Sequence, residues 1–314
     1  MMRFDVTTIG TGAALPARGR LPSAQVVNLG DRLYMIDCGE GTQEQLRRGG
    51  IRLQHLKHIF ISHMHGDHYL GLMGLLSTLH LLGRTEVLNV HGPAPLAEVI
   101  HVQLRASQTY LRYPLNINTT PLESGAVVME DDRLVVTSLA LQHRIPCTGF
   151  LLSEKPGERR LRLDAIDRIP HYLRNKVKSG ADLEQPDGSA VPNAELTLPP
   201  SPPRTYAYCS DTAYNPDLVQ HIRGVDLLYH EATFTEQLAA RAKETMHSTA
   251  AQAALIARDA GVGQLLLGHF SSRYKTVDPL LAEARAVFVK TIASEEGGVY
   301  AIGPPTGVGK MAAP

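Results

Sequence analysis

At 314 residues, with 43% hydrophobic and 20% charged side chains, the sequence can bury a large core and lacks the composition of a disordered chain. Equal basic and acidic counts, 31 each, and a pI near 7.3 exclude a whole-molecule field drawing the protein to nucleic acid or membrane, so a polyanionic partner has to meet a local basic patch. Met1-Met2-Arg3-Phe4-Asp5 has no apolar signal core, and the longest apolar run, 70–82, is too short and interrupted to span a bilayer, which makes a cytoplasmic protein without membrane association the expectation.

The spacing predicts β-branched strands at 5–9 and 25–29 around the loop Gly10-Thr11-Gly12-Ala13-Ala14-Leu15-Pro16, whose two glycines ease backbone turns. That loop lacks the full G-x-G-x-x-G pattern, and no helix-forming stretch follows, so it does not read as a dinucleotide site. A strand at 32–36 delivers Asp37-Cys38-Gly39-Glu40-Gly41-Thr42, and 43–48 has helical character up to Gly49-Gly50. Asp37 reads equally as a turn-capping carboxylate and as a group that orients a nearby histidine.

A strand at 58–61 runs into His63-Met64-His65-Gly66-Asp67-His68, and 69–82 has the apolar spacing of a buried helix. Three imidazoles and a carboxylate in six positions repel one another or stay unsatisfied unless a cation neutralises and orients them. This strand-to-helix turn therefore reads as a metal site at the carboxyl edge of a sheet.

Residues 87–90 form the next expected strand and 95–107 a helix, with His91 and His101 as satisfied structural groups. β alternation between 115 and 141 is clearest at 134–141, which ends in Gln142-His143-Arg144 and makes His143 a further ligand candidate; a strand continues at 148–153. Residues 154–204 change character, with turn signals such as Pro186-Asp187-Gly188 and the cations Arg159, Arg160, Arg162, Arg168, Arg174, Lys176 and Lys178. We expect an inserted basic arm suited to a phosphate backbone, with Arg159, Arg160, Lys176 and Lys178 as substrate-binding candidates and an idle solvated face as the alternative.

Strands resume at 205–209, 225–229 and 264–267, leading into Ser210-Asp211-Thr212, His230-Glu231-Ala232-Thr233 and His269-Phe270-Ser271-Ser272-Arg273-Tyr274. His247-Ser248-Thr249 precedes an alanine-rich helix to about residue 260, capped by Ser248 or Thr249 and stopped by Gly261. The tail at 303–314 is rich in Gly and Pro and is expected to be flexible. Cys38, Cys147 and Cys209 lack C-x-x-C spacing and read as small buried hydrophobes. Alternating strands and helices, with acid or histidine at one set of strand ends, imply an α/β protein: two mixed sheets between helices, with a metal cleft along one edge.

The H-x-H-x-D-H signature of His63, His65, Asp67 and His68 resembles that of the metallo-β-lactamase superfamily. Together with the Gly10-Thr11-Gly12 loop, the Asp37 to Thr42 stretch and the motifs at 230–233, 247–249 and 269–274, it resembles the ribonuclease Z family, the tRNA 3′-end endonucleases, from about residue 4 to residue 274. The resemblance implies an αββα sandwich over 1–302 interrupted by the 154–204 arm. It implies two zinc ions per subunit, with manganese or iron as alternatives: His63, His65 and His143 on one, Asp67, His68 and His269 on the other, and Asp211 bridging.

The chemistry so implied is zinc-dependent hydrolysis of precursor tRNA in its discriminator region, leaving a tRNA 3′-hydroxyl and a trailer 5′-phosphate. Asp67, His247 and Glu231 form the catalytic set, His247 donating a proton to the leaving 3′ oxygen and Glu231 orienting it. A homodimer is also implied, and Arg273 of the closing motif joins the substrate-binding candidates. The arm departs from the family, since Arg168-Ile169-Pro170-His171-Tyr172 is followed by no Gly-Pro repeat. The rival readings are a hydrolase of a small phosphodiester, thioester or sulfate ester, and a non-catalytic zinc-binding protein of the same fold.

Overall fold

The computed structural model describes residues 2–186, 188–303 and the backbone of 308–310. β1 (Phe4–Gly10), β2 (Ala24–Leu29) and β3 (Arg32–Cys38) form an antiparallel meander. After α1 (Thr42–Arg48), β4 (Leu56–Phe60) pairs parallel with β3. Then come α2 (Gly66–Tyr69), α3 (Leu72–Leu81), β5 (Leu88–Gly92), α4 (Pro95–Ala106) and β6 (Leu115–Thr119), with β5 and β6 extending the parallel part.

The single helix expected over 69–82 is therefore two. At their junction Gly71 passes so close to Gly39 that a Cβ would lie 2.1 Å from the Gly39 carbonyl oxygen, and the Gly71 amide donates to the Cys38 carbonyl at 2.9 Å. This contact ties the metal-motif turn to the end of β3.

β7 (Val127–Glu130), β8 (Leu134–Ala140) and β9 (Thr148–Glu154) begin the second sheet. A separate compact unit comprises 153–204 together with 130–135. Within it lie β10 (Arg160–Leu161), α5 (Arg174–Lys178), β11 (Leu183–Glu184), β12 (Ala190–Val191), α6 (Asn193–Leu196) and β13 (Thr197–Leu198). The hairpin tip at 130–135 was not part of the expected insertion. It belongs there because the Lys155 amide donates to Arg133 O at 2.7 Å and Lys155 Nζ meets Glu130 Oε1 at 2.5 Å. Ala165, Ile169, Val177, Leu183, Val191 and Leu196 make this unit's own small core. Asp187 lies outside the described residues.

The larger unit continues with β14 (Thr205–Cys209), α7 (Leu218–His221), β15 (Leu227–Glu231), α8 (Ala239–Thr245), α9 (Ala250–Ala260), β16 (Gln264–Gly268), α10 (Asp278–Val287) and β17 (Thr291–Ala293). β14 to β17 pair in parallel, buried on both faces, which is why Tyr206-Ala207-Tyr208-Cys209 and Leu265-Leu266-Leu267 read as unbroken apolar runs. β18 (Gly298–Ala301) returns to pair with β1, and β19 (Val308–Lys310) pairs with β18. Of the tail expected to be flexible, 304–307 and 311–314 lie outside the described residues, while the backbone of 308–310 is this edge strand.

The sheets run β19-β18-β1-β2-β3-β4-β5-β6 and β17-β16-β15-β14-β9-β8-β7. Leu72, Leu75, Leu76, Leu79, Leu96 and Ile100 cover one outer face, and Ala253, Ala254, Ala257, Leu280 and Ala284 cover the other. The inner faces meet where the rings of Phe60 and Phe150 stand 5.3 Å apart and where Tyr206 donates to Gln25. Removing a ring of this kind, as in Phe60→Ala, costs about 3–5 kcal/mol. The parallel strands β3, β4, β14, β15 and β16 run into Asp37, His63, Asp211, Glu231 and His269 respectively, so one carboxyl edge collects the polar residues.

Candidate metal centre

Asp211 is buried at this edge, and its two oxygens face different imidazoles. Oδ2 stands 3.8 Å from His63 Nε2 and 3.9 Å from His143 Nε2, while Oδ1 stands 3.5 Å from His68 Nε2 and 3.1 Å from His269 Nε2. His65 completes the first group, its Nδ1 lying 2.9 Å from His63 Nε2 and 3.1 Å from His143 Nε2. Asp67 completes the second, with Oδ2 3.5 Å from both His68 Nε2 and His269 Nε2. The seven residues singled out as ligand candidates thus fall into two donor groups that share Asp211.

Two tests of fit come from the donors themselves. His68 Nε2 and His269 Nε2 are buried with no hydrogen-bond partner, an arrangement that costs free energy unless something else occupies the lone pair. The other ring nitrogens of four histidines are committed elsewhere: His63 Nδ1 to Ser62 Oγ at 3.0 Å, His68 Nδ1 to Asp37 Oδ2 at 2.7 Å, His143 Nδ1 to Met246 O at 3.0 Å and His269 Nδ1 to Thr233 Oγ1 at 2.9 Å. Donation from Nδ1 fixes the tautomer that leaves Nε2 free to ligate. The residues therefore suit a divalent cation in each group.

Electrostatics agree. Burial pulls His63 down to about 2 and, less strongly, lowers His65 and His143, so these rings are neutral, as ligation requires. Asp67 and Asp211 are both held well below the usual carboxylate range, the neighbouring imidazoles overcoming the opposing effect of burial. His68 is the exception: although burial opposes it, Asp211 and Asp37 push it well above its ordinary value.

Of the two readings open for Asp37, orientation of histidine is the one realised. Its Oδ1 accepts from the Ser62 amide at 2.8 Å, and its Oδ2 from the Ser62 hydroxyl at 3.0 Å, from His68, and from Tyr208 at 2.7 Å across the sheet interface. Ala14, Asp37, Met246 and His269 all hold left-handed backbone, at φ 67°, 57°, 56° and 56°. Such strain, about 1–3 kcal/mol each, persists where surrounding contacts over-determine a site.

Beside Asp211, His247 Nδ1 lies 3.0 Å and 3.1 Å from the two oxygens of Glu231. Glu231 is fully buried and also accepts from the Thr212 amide at 2.6 Å, the Ser248 amide at 3.1 Å and the Thr233 hydroxyl. A third possible donor group, Asp211, Glu231, His247 and His269, is the weaker one, because these bonds already occupy the Glu231 oxygens. Burial pulls His247 down, but Glu231 first, then Asp211 and Asp67, outweigh it and lift the imidazole to about 9. It is placed by Thr249, which caps α9 in a capping box with Gln252 and so fixes where the 247–249 segment enters the helix. The neighbouring His230 turns away, its Nδ1 on the Glu231 carbonyl at 2.8 Å, as strand alternation dictates.

The groups open into a cleft of about 530 Å³ whose wall includes Arg144, Arg241, Phe234, Arg273, Ala14 and Leu70. Arg273 lies over the Phe234 ring, 5.9 Å from its centroid. Three arginines around an acid and imidazole floor suit a phosphodiester backbone. Within the smaller unit, Arg159 donates to Thr197 Oγ1 at 2.7 Å and Arg160 to Pro199 O at 3.1 Å, while Lys176 is exposed and Lys178 half-buried on α5. The three thiols are buried, burial pushes each up, and they lie outside the donor groups.

Ser62, Thr233, Tyr208, the Ala14 amide and the Met246 carbonyl support the centre without having been singled out as site residues. Thr233 stood within the 230–233 motif and Tyr208 within the strand before Asp211, which was the only signal available.

Residues 4–109 match the family model described as anti-Pycsar protein Apyc1, a minority of the chain. A ribonuclease Z of Bacteroides fragilis (strain YCH46) is 49% identical over 298 residues, covering 94% of this chain and 98% of that relative. Among solved structures, the short form of human tRNase Z is similar with a TM-score of 0.70 and 27% identity, covering 96% of this chain and 100% of that one. The metallo-β-lactamase fold protein YhfI of Bacillus subtilis is similar in fold, with a TM-score of 0.67 and 21% identity over 95% of this chain and 99% of its own.

Proposed function

The chain belongs to the ribonuclease Z family, endoribonucleases of the metallo-β-lactamase fold, and from that premise we propose that it is a zinc-dependent endonuclease removing the 3′ trailer of precursor tRNA. The observation that carries the proposal is the pair of donor groups sharing Asp211, with the His247–Glu231 pair beside them. His63, His65 and His143 would hold one cation and Asp67, His68 and His269 the other, Asp211 serving both. Cations held there would supply positive charge against the phosphate oxygens and make a water molecule a competent nucleophile near neutral pH.

The rest falls to the chain's own side chains. His247 gives its Nε2 proton to the departing 3′ oxygen, and the Glu231 carboxylate at 3.0 Å balances the imidazolium charge and fixes the ring. Thr233 joins the two functions, accepting from His269 Nδ1 and donating to Glu231. Asp67, held by the Ala14 amide at 2.8 Å, presents one oxygen toward His68 and His269. Arg144, Arg241 and Arg273 receive the RNA backbone, with the cations of the smaller unit, Arg159, Arg160, Lys176 and Lys178, as further contacts. The products are a tRNA 3′-hydroxyl and a trailer 5′-phosphate. A cytoplasmic homodimer completes the reading; no helix among the described residues is long and apolar enough to cross a membrane.

End-labelled precursor tRNA tests this. The expected result is a single cut beyond the discriminator base, abolished by a chelator and restored by zinc. Turnover of a small phosphodiester or thioester without any cut in the precursor would overturn the reading in favour of a small-ester hydrolase.

A further inference from the structure

Outside the centre, one carboxylate joins two segments that converge on it. Glu296 lies in the turn between β17 and β18, and its Oε1 accepts from the Thr11 amide at 3.0 Å, the Thr11 hydroxyl at 3.1 Å and the Leu21 amide at 3.1 Å. It therefore grips both ends of the 11–21 loop, while its Oε2 is shielded from solvent without a partner. The loop is paired along its length with the segment after β16: Ala13 N to Phe270 O at 3.0 Å, Phe270 N to Thr11 O at 2.9 Å, Arg18 Nε to Ser272 O at 2.6 Å and Arg20 Nη1 to Tyr274 O at 3.3 Å. Near its tip the Ala14 amide donates to Asp67 Oδ2 at 2.8 Å.

Together these contacts run from Glu296 to Asp67 and to the segment that follows His269. We propose that Glu296 is a positioning residue for the Asp67 and His269 side of the centre, holding the Ala14 amide on Asp67 and the 269–274 segment in place through the 11–21 loop. The proposal rests on reading that side as a metal-binding part of a nuclease.

The grip depends on charge. An ionised carboxylate holds its donors with charge-assisted bonds, and a neutral one with weaker bonds. Burial pushes Glu296 up to about 7 against the pull of Leu21, Thr11 and Arg20. The other titratable groups nearby are Arg18 beyond Arg20, the adjacent Glu295, and Tyr300, whose hydroxyl accepts from the Glu295 amide at 2.9 Å. Because the cost of burying the charge exceeds what those bonds return, ionisation disfavours the gripped state, and the grip on the loop loosens as pH rises through neutrality.

Glu296→Gln keeps an acceptor at Oε1 but never ionises. The ratio of wild-type to E296Q kcat/KM on precursor tRNA should fall about fivefold between about pH 5.5 and about pH 8.5, turning near pH 7, because active-site titrations cancel in the ratio. A ratio independent of pH would overturn the proposal, since a purely structural role lowers activity equally at every pH. Amide exchange in the zinc-loaded protein gives a readout that needs no turnover: E296A should speed exchange at Ala14 and Phe270 as well as at Thr11 and Leu21. Acceleration confined to Thr11 and Leu21 would mean that the grip ends at its own partners, and the proposal would fail. If the wild type cuts no precursor, the nuclease reading fails while the exchange experiment still decides the role of Glu296; if E296A does not fold, the E296Q ratio decides it.

Discussion

The two donor groups on either side of Asp211 differ in charge and in what holds them. The first is three imidazoles, one of them, His65, half-buried toward solvent, and another, His143, backed by the Met246 main-chain carbonyl. The second adds the Asp67 carboxylate to two buried imidazoles, and each member leans on a named partner: Asp37 for His68, Thr233 for His269, the Ala14 amide for Asp67. A cation there faces two carboxylates instead of one, in surroundings that screen little. The difference teaches that the second group should bind more tightly, and that its affinity can be changed by substitutions that touch no ligand.

The largest effect should come from removing what the groups share. On the proposed assignment, Asp211→Ala should lower metal content at both and cut turnover on the order of a thousandfold or more, as expected when interdependent groups are broken together. Elemental analysis showing two full equivalents of metal would end the bridging role. Next, His247→Ala should lower kcat by about 10²–10⁴-fold with metal content unchanged, because it removes the proton donor and leaves both groups intact. Wild-type cleavage by that variant would remove His247 from the chemistry.

Smaller effects should separate the groups. Asp37→Asn should weaken the second cation by about 10–100-fold and the first by less, since Asp37 touches His68 directly but His63 only through Ser62. Equal losses at both in a competition titration would break the comparison. Thr233→Val, which takes one hydrogen bond from His269, should cost about tenfold at most at the second group and nothing measurable at the first.

How much of this was legible depended on distance along the chain. His63, His65, Asp67 and His68 crowd into one turn and announce themselves. His143, Asp211 and His269 could be read as candidates because each follows a recognisable strand, but their assembly rested on family resemblance. Asp37 could be seen only as one of two things until Ser62, His68 and Tyr208 were found around it. Backbone groups such as the Ala14 amide and the Met246 carbonyl carry no side-chain identity, so no residue pattern could point to them. The break at Gly71 is equally invisible locally, because it is imposed by Gly39, remote in sequence. β18 is four residues long and finds its partner β1 at the opposite end of the chain, where periodicity gives no warning.

The donors of each group come from both sheets: His63, His65, Asp67 and His68 follow β4 of the first, whereas His143, Asp211 and His269 follow β8, β14 and β16 of the second. A bound cation would therefore act as a reversible cross-link between layers, closing a chain loop from residue 63 to residue 211 in the first group or from residue 67 to residue 269 in the second, and restricting the unfolded chain only while it stays attached. Metal supply then sets mechanical integrity as well as turnover. A chelated sample should melt at a lower temperature than a loaded one, with a melting point that climbs with free zinc concentration by simple mass action.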